Sequence, residues 1–176
     1  MNQYLVVVDM QKDFVDGSLG SQDAQAIVQN VVDKIKGWQG PIIATRDTHD
    51  ENYLASREGK YLPVKHCIQG TEGWMLDANV QQALSEKENV TYLNKPSFGS
   101  LELAQRIEQF QKDDMDFEIE LVGLCTDICV VSNAMILKAA FPEVNIRVDA
   151  SCCAGVSVES HEASLKTMQC CQIDIL

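Results

Sequence analysis

Basic residues and long apolar runs are both scarce in this chain of 176 residues. Lysine and arginine together number 14 against 26 aspartates and glutamates, so the formal net charge is −12 at pH 7. Nucleic acids and anionic membranes are bound through cationic side chains, so this balance argues against both as partners. No apolar run approaches the ~20 residues that a membrane-spanning helix needs. We therefore expect neither a nucleic acid nor a membrane as a partner.

Signals for export and for disulfide bonding are missing as well. The first residues lack the cationic flank of a signal peptide, and the apolar stretch that follows them is shorter than a signal peptide needs. The cysteines number seven, which is odd, and four of them form the adjacent pairs Cys152–Cys153 and Cys170–Cys171. Adjacent side chains point apart on a strand or helix, which makes a poor disulfide framework. The sequence thus predicts reduced thiols in a cytoplasmic protein.

Glycine-rich nucleotide motifs, internal repeats and linkers are also absent. The glycine spacing matches neither the dinucleotide fingerprint nor a phosphate loop that ends in Lys-Ser/Thr. With 45% hydrophobic residues, the chain suits one domain over residues 1–176 that needs no disulfide support.

Short apolar runs alternate with helical patterns along the chain. Strands are predicted at 4–9, 41–45, 90–93, 117–123, 144–148 and 172–176, and helices at 23–36, 101–110, 126–140 and 157–169. This alternation predicts an α/β protein, a three-layer α/β/α sandwich around a mostly parallel sheet of roughly six strands. Residues 47–77 lack the periodicity, and an insertion of about thirty residues without regular structure is usually functional.

Reactive residue types follow the predicted strands. Asp9 ends the first strand, Asp47 and His49 follow the second, Lys95 follows the third, and 125–129 follows the fourth. Ligands bind at the carboxyl ends of the strands in open parallel sheets. We therefore expect these residues to meet at one edge of the sheet.

Cys129 is the strongest candidate for a nucleophile. It lies where the fourth strand passes into a helix that Thr126 or Asp127 could cap. The positive end of a helix dipole favours the reactive thiolate, and the unpaired N–H groups there could stabilise an oxyanion. The alternative is a buried structural cysteine. Cys125 is a weaker candidate because it lies in the turn itself.

Asp9 and Lys95 are candidates for the groups that activate this thiol. A carboxylate at the end of an apolar strand is costly to bury without a purpose, and Asp9 could act as the base. The ammonium of Lys95 could lower the pKa of the thiol and pair with Asp9. The alternatives are a turn or capping residue for Asp9 and a solvated loop residue for Lys95.

Two of the three histidines lie in the insertion. Asp47 and His49 face the same side of an extended segment, and Glu58 and His66 supply two further ligands. Two imidazoles with two carboxylates suit Zn²⁺, Mn²⁺ or Fe²⁺. The alternative is a pair of surface histidines. We expect His161, in a predicted helix, to be a surface or packing residue.

Two apolar features remain. Phe14, in the loop after the first strand, could stack on a flat substrate or pack in the core beneath that loop. The run 128–140 is apolar on most sides, which indicates a buried helix, covered in part by another subunit.

These motifs together resemble the isochorismatase-like cysteine hydrolases, in particular their nicotinamidase/pyrazinamidase branch. They run in the family's order and spacing over nearly the whole chain, and the last one is the most specific. The matching stretches are Val6-Val-Val-Asp9-Met-Gln-Lys-Asp-Phe14, Ala44-Thr-Arg-Asp47-Thr-His49, Leu62-Pro-Val-Lys-His66-Cys67, the Lys95 loop and Gly123-Leu-Cys-Thr-Asp-Ile-Cys129.

The resemblance implies the isochorismatase-like hydrolase fold and a catalytic triad of Asp9, Lys95 and Cys129. It also implies a cis peptide between Leu124 and Cys125, with the N–H groups of Cys125 and Cys129 forming an oxyanion hole. The short loop after Lys95 has one aromatic residue, Phe98, which we expect with Phe14 to contact the substrate.

The family's metal is held by an Asp-x-His pair, a later His and a fourth ligand that is His or Glu. Asp47, His49, His66 and Glu58 match that pattern, and isochorismatases proper lack it. The resemblance therefore implies a divalent ion, zinc first with manganese or iron as alternatives, and a homo-oligomer, either a dimer or a tetramer.

The leading hypothesis is a metal-assisted amidohydrolase that converts nicotinamide, or a similar small carboxamide, to the acid and ammonia through a thioester on Cys129. One alternative is a hydrolase of the same fold that acts on an N-carbamoyl or other amide substrate. A different class, suggested by the seven cysteines, is a non-catalytic thiol or metal sensor.

Overall fold

Parallel strands form the centre of the computed structural model, which describes residues 2–111 and 116–176. The strands are β1 (Asn2–Val8), β2 (Ile42–Asp47), β3 (Val90–Lys95), β4 (Phe117–Leu124), β5 (Asn145–Ala154) and β6 (Asp174–Ile175). They form one sheet in the order β3-β2-β1-β4-β5-β6, with every neighbouring pair parallel. The predicted α/β class is confirmed.

Helices connect the strands. They are α1 (Lys12–Val15), α2 (Gln22–Ala26), α3 (Val28–Gly37), α4 (Arg57–Tyr61), α5 (Ala78–Ser85), α6 (Leu101–Gln111), α7 (Val131–Ala140) and α8 (Val158–Cys170). A 3₁₀ turn covers Tyr53–Ala55, and a π-helical turn over Thr126–Val130 leads into α7.

Apolar cores on both faces of the sheet produce the three-layer arrangement. On β1, Leu5 and Val7 face the layer that contains α3 and α5, whereas Val6 and Val8 face the layer of α6, α7 and α8. A strand covered on both faces needs apolar residues at every position, which explains the continuous apolar run of β1.

The two central strands approach each other closely where the site begins. β1 and β4 stay in register from Asn2 opposite Phe117 to Val8 opposite Gly123. Gly123 has a φ of 119°, and a Cβ at this position would collide with the carbonyl of Val8. Glycine is therefore required at this contact, immediately before the segment that carries the cysteines.

Several predicted elements have different bounds in the structure. The helix predicted at 23–36 is divided into α2 and α3, which meet at Ile27. The fifth strand continues to Ala154, and the last strand covers only two residues. Residues 47–77 contain the 3₁₀ turn and α4, and α5 was not predicted.

Neither a membrane-spanning helix nor a disulfide is found among the described residues. None of the helices there combines the length and apolar character needed to span a lipid bilayer. All seven cysteines are free thiols.

Candidate active site

The carboxyl ends of four neighbouring strands bring the predicted reactive residues together. Asp9 directly follows β1, with a φ of 47°, and Lys95 is the last residue of β3. Cys129 lies in the π-helical turn after β4. The Leu124–Cys125 peptide at the start of this segment is cis, as the family resemblance implied.

Lys95 is the centre of a buried cluster with Asp9 and Cys129. Its Nζ lies 2.6 Å from Asp9 Oδ2 and 3.4 Å from Cys129 Sγ. The second carboxylate oxygen of Asp9 accepts a hydrogen bond from Thr45 Oγ1 at 2.7 Å, and Lys95 also donates to the Ser97 carbonyl at 3.0 Å. Asp9 and Lys95 have no solvent exposure. The ion-paired side chains of Asp9 and Lys95 are therefore screened from bulk water.

Burial controls protonation in this cluster. It raises the pKa of the Asp9 carboxyl against the opposing charge of Lys95. It also raises the pKa of the Cys129 thiol well above its usual value, and Asp9 adds to this effect while Lys95 opposes it. Burial alone would lower the pKa of Lys95, but the charges of Asp9, Cys129 and Asp47 outweigh it and raise that pKa.

Lys95 is thus paired with Asp9 at 2.6 Å beside a thiol whose pKa is raised by burial. Burial of Cys129 opposes the thiolate that the positive end of a helix would favour, and the charge of Lys95 acts against this effect of burial. The thiol needs a base before it can attack a substrate.

Residues of α8 and of the loop before it hydrogen-bond to the turn that carries Cys129. Asp127 accepts hydrogen bonds from the Val156 N–H, at 3.1 Å to Oδ2, and from Ser160 Oγ. Thr126 Oγ1 lies 2.8 Å from Nδ1 of His161. The prediction that Thr126 or Asp127 caps the following helix was wrong, because both side chains bond to α8 and the loop before it. His161 is half-buried in this contact.

The four predicted metal ligands converge beside the cluster. One ligand atom from each of Asp47, His49, Glu58 and His66 lies within 4.8 Å of all the others. His49 Nε2 is 2.8 Å from Asp47 Oδ2 and 3.5 Å from Glu58 Oε1, and His66 Nε2 is 3.6 Å from both carboxylates. Lys95 Nζ lies 3.5 Å from Asp47 Oδ1, so the two groups of residues are in contact.

The chemistry of these residues fits a divalent cation. His66 Nδ1 lies 2.8 Å from the Val64 carbonyl, an acceptor that leaves the lone pair of Nε2 pointing at the other ligands. His49 Nε2 is buried and has no aligned hydrogen-bond partner among the described residues, although Asp47 Oδ2 is close. Two imidazole nitrogens and two carboxylates that converge on one point form the kind of ligand set that a divalent metal ion binds.

Without a cation, the histidines themselves balance the carboxylates. Burial alone would lower the pKa values of His49 and His66, but hydrogen bonds and charge from Asp47 and Glu58 raise both to about 9. Burial opposes the corresponding change in Glu58, yet the two histidines lower its pKa to about 2. The carboxylates of this site are therefore stabilised by positive charge, which either the protonated histidines or a bound cation can supply.

Gln11 was missed by the sequence analysis and holds one of the ligands in place. Its side chain donates from Nε2 to the Asp47 carbonyl at 2.8 Å and accepts from the Asp47 N–H at 2.7 Å. Gln11 has no solvent exposure. Its presence in the Asp9-Met-Gln11 motif was the available signal, but a glutamine amide has no ligand or nucleophile chemistry that would have singled it out.

A cavity of about 490 Å³ opens above the cysteine and reaches the metal ligands. It contacts Cys125, Cys129, Asp47, Glu58 and His66, and both predicted aromatic residues, Phe14 and Phe98, line it. The remaining lining residues are mostly small or apolar: Leu19, Gly20, Ser21, Ala24, Leu62, Leu124, Ile128, Gly155 and Val156. No lysine or arginine of the described chain belongs to this lining.

Fold and site together define an α/β protein with a parallel sheet, in which a buried cysteine thiol lies beside a set of residues typical of metal ligands. The chain belongs to the isochorismatase family, because the family model described as the isochorismatase domain matches residues 3–175. The isochorismatase family protein PncA of Bacillus subtilis, itself described as uncharacterized, is 32% identical over 150 residues, which cover 77% of this chain and 78% of that protein.

Solved structures agree with the family assignment. The nicotinamidase/pyrazinamidase PncA from Bacillus subtilis superposes with a TM-score of 0.88 at 24% identity, over 99% of both chains. The pyrazinamidase of Pyrococcus horikoshii, solved in complex with zinc, superposes with a TM-score of 0.82 at 25% identity, over 100% of this chain and 99% of that one. These neighbours bear out the prediction of an enzyme of the amidohydrolase type.

Proposed function

We propose that this enzyme hydrolyses nicotinamide, or a similar small neutral carboxamide, to the acid and ammonia through a thioester on Cys129. The observation that carries the proposal is the contact of Cys129 Sγ with Lys95 Nζ at 3.4 Å, while the same ammonium pairs with Asp9 at 2.6 Å. Cys129 lines a cavity large enough for a small ligand, and Asp9 and Lys95 are buried behind it. The named activities of the solved neighbours support the same choice.

Asp9 is the general base and acid in the proposed mechanism. It takes the proton of the Cys129 thiol as the sulfur attacks the amide carbon, and the carbonyl π electrons move to the oxygen. When the tetrahedral intermediate collapses, the C–N bond breaks and Asp9 returns the proton to the departing ammonia. Asp9 then deprotonates a water molecule that attacks the thioester, and the thiol leaves with that proton. The raised pKa of Asp9 suits both proton transfers.

Lys95 and the backbone stabilise the charges that develop. The Lys95 ammonium is positioned to stabilise the thiolate of Cys129 as it forms, and its raised pKa keeps it charged. The N–H groups of Cys125 and Cys129 bracket the start of the turn and are proposed to bind the oxyanion. Both residues line the cavity, which is consistent with this role.

Asp47, His49, Glu58 and His66 would hold a divalent ion, zinc first and manganese or iron next. The geometry that supports this is the convergence of their four ligand atoms and the unpartnered Nε2 of His49. Once bound, the ion supplies a Lewis acid that orients the substrate in the cavity. One of these ligands, Asp47, also contacts the ammonium of Lys95 at 3.5 Å.

The lining of the cavity favours a neutral and flat substrate. Phe14 and Phe98 supply aromatic surface, and the cation nearest the thiol, Lys95, is already paired with Asp9. An N-carbamoyl amino acid carries a carboxylate that would need a cationic partner, and apart from the proposed metal ion the lining from the described residues offers none. A neutral aromatic carboxamide needs no such partner.

Free thiols and apolar helix surfaces support the remaining parts of the proposal, a cytoplasmic homo-oligomer. None of the seven cysteines forms a disulfide, and free thiols of this kind are typical of proteins in a reducing compartment. Leu101 at the start of α6 is 71% exposed, and it borders an apolar groove that also contacts Ile136 and Phe141. Sedimentation of the purified protein will distinguish a dimer or tetramer from a monomer.

Ammonia release by the purified enzyme tests the proposed substrate. We expect nicotinamide to be hydrolysed by the zinc-loaded protein, with activity lost on treatment with a chelator and recovered when zinc is returned. N-carbamoyl amino acids serve as the comparison and should release much less. Turnover of the N-carbamoyl compounds with none of nicotinamide would overturn the substrate assignment and leave the family and fold in place.

A further inference from the structure

Asn133 is a fully buried amide in the first turn of α7, one helical turn beyond Cys129. Its Nδ2 donates to the Cys129 carbonyl at 2.8 Å and to the Phe98 carbonyl at 3.1 Å. Its Oδ1 accepts from the Ser100 N–H at 3.0 Å. Asparagine is a poor helix residue and a buried amide is costly unless it is bonded, so three good bonds at zero exposure indicate a specific task.

The bonds of Asn133 join the two segments that carry the reacting groups. One is the turn of Cys129, and the other is the loop 95–100, which begins at Lys95 and includes the cavity residue Phe98. Lys95 is tied to the same loop, because its Nζ donates to the Ser97 carbonyl at 3.0 Å.

An independent feature shows that this loop is pressed onto α7. A Cβ added at Gly99 would lie 2.6 Å from Ile136 Cδ1 and 3.3 Å from Ser132 Cβ, both on α7. A Cβ at position 99 would require the end of the Ile136 side chain to turn away, so the loop packs closely on α7 beside Asn133. The loop and the start of α7 form one packed unit.

We propose that Asn133 is a positioning residue that sets the separation of Lys95 and Cys129 by clamping the loop 95–100 to the turn of the nucleophile. The inference deepens the proposed function and rests on its assignment of Lys95 and Cys129. Asn133 touches no reacting atom and acts through the two backbones that it joins. A displacement of about 1 Å between reacting groups costs on the order of 10²-fold in rate, so a clamp that fixes their separation affects the rate of the chemical step.

Two substitutions separate the parts of the clamp. Asn133→Thr keeps a donor to the Cys129 carbonyl, because hydroxyls on helices bond to the carbonyl four residues earlier, as Ser132 does to Ile128 at 2.6 Å. It loses both bonds to the loop. Asn133→Asp keeps the acceptor for the Ser100 N–H but loses both donors. Asn30→Thr is the matched control, since Asn30 is a helix residue that donates to the distant Ser151 carbonyl.

The clamp is tested with two readouts, steady-state kinetics on nicotinamide and the alkylation rate of Cys129 by iodoacetamide. Fragment-ion mass spectrometry separates alkylation at Cys129 from that at Cys125. We expect Asn133→Thr to lower kcat and the alkylation rate at Cys129 by about 10- to 100-fold, with KM changed by less than about threefold. Asn133→Asp should lower both further, and Asn30→Thr should change neither.

The alkylation arm needs no amide, so it separates failure of the clamp from failure of the proposed function. A wild-type protein that releases no ammonia from nicotinamide yet shows the expected loss of alkylation in Asn133→Thr would overturn the substrate and keep the clamp. A folded Asn133→Thr protein with kcat and alkylation rate within about twofold of wild type would overturn the clamp. If Asn133→Thr unfolds, Gly99→Ala tests the same contact from the side of the loop. This substitution should also lower the alkylation rate of Cys129.

Discussion

The side chain of Gln11 hydrogen-bonds to both backbone polar groups of Asp47: it donates to the carbonyl at 2.8 Å and accepts from the N–H at 2.7 Å. The same Nε2 donates to the Trp74 carbonyl at 3.0 Å, which ties the strand end of Asp47 to the segment before α5. The carboxylate that faces both the histidines and Lys95 is therefore oriented by a residue that contacts no metal ligand atom.

Replacing Gln11 should weaken metal binding without removing a ligand. Gln11→Leu leaves the buried N–H and carbonyl of Asp47 without partners and frees the carboxylate to turn. We expect zinc affinity to fall by about 10- to 100-fold, as is typical when groups that orient metal ligands are lost. Competition with a chelator measures the change. Gln29→Leu is the control, because Gln29 is exposed and bonds only to Asp33; equal zinc affinity in Gln11→Leu and wild type would contradict the assigned role.

Zinc should stabilise the folded protein through the four-ligand cluster. A ligand that binds only the folded state at about 100 times its Kd adds about 2.7 kcal/mol, so Tm should rise when zinc is added. His49→Ala should abolish this rise. The third histidine gives the control: His161 lies outside the ligand cluster, so His161→Ala should keep the zinc-dependent rise in Tm. A rise of equal size in His49→Ala would place the zinc elsewhere.

Phe98 should contribute to substrate binding rather than to chemistry. Its ring lines the cavity while 45% of the residue is exposed. Phe98→Ala removes a stacking surface worth about 1 kcal/mol, so KM for nicotinamide should rise about fivefold with kcat nearly unchanged. Phe110→Ala is matched in residue type and exposure but lies on α6 away from the cavity, and it should leave KM unchanged. A fall in kcat alone would contradict a binding role for Phe98.

A charged network remote from the site predicts a stability effect. Lys34 on α3 bridges Glu120 at 2.6 Å and Asp149 at 2.7 Å, and the Glu120 side chain is almost fully buried. Lys34→Met leaves these carboxylates short of their cation, although Arg147 stays 3.4 Å from Glu120. We expect a loss of about 3 kcal/mol in the free energy of unfolding, measured by urea denaturation at neutral pH. Lys36→Met, on the exposed side of the same helix, should have little effect.

The same network should respond to acid. Burial opposes the change, yet hydrogen bonds from Lys34 and Ser151 lower the pKa of Asp149 below its usual 3.8. A carboxyl with a lowered folded-state pKa stabilises the protein above 3.8 and loses that contribution as the pH falls through the folded value. The gap in stability between wild type and Lys34→Met should therefore narrow as the pH is lowered below 3.8. A gap that widens in acid would contradict this assignment.

Strand ends were the most predictable part of the molecule. The ends of β1 and β4 can be predicted because each apolar run stops there. Parallel sheets bind ligands at the carboxyl ends of their strands, so the sequence alone predicts that Asp9, Lys95 and Cys129 lie close together. The α/β class and the six-stranded sheet follow from the same alternation. The convergence of Asp47, His49, Glu58 and His66 was likewise readable, because these are the residue types that bind such ions.

Details that depend on tertiary contacts were not predictable. The break at Ile27 between α2 and α3 has no glycine or proline to mark it. Asp127 is next to the predicted helix start and looks like a cap in sequence, but its acceptors are used by Val156 and Ser160 from another segment. The high pKa of Cys129 also arises from burial, which the local sequence does not report.

The paired substitutions Cys129→Ala and Cys125→Ala test the proposed mechanism most directly. Both thiols line the cavity, and alanine at either position keeps the backbone N–H groups proposed for the oxyanion hole. Ammonia release from nicotinamide should fall by at least ~10³-fold in Cys129→Ala, because the attacking sulfur is gone, and by less than about tenfold in Cys125→Ala. A folded, zinc-loaded Cys129→Ala protein that keeps wild-type ammonia release would contradict thioester catalysis at Cys129.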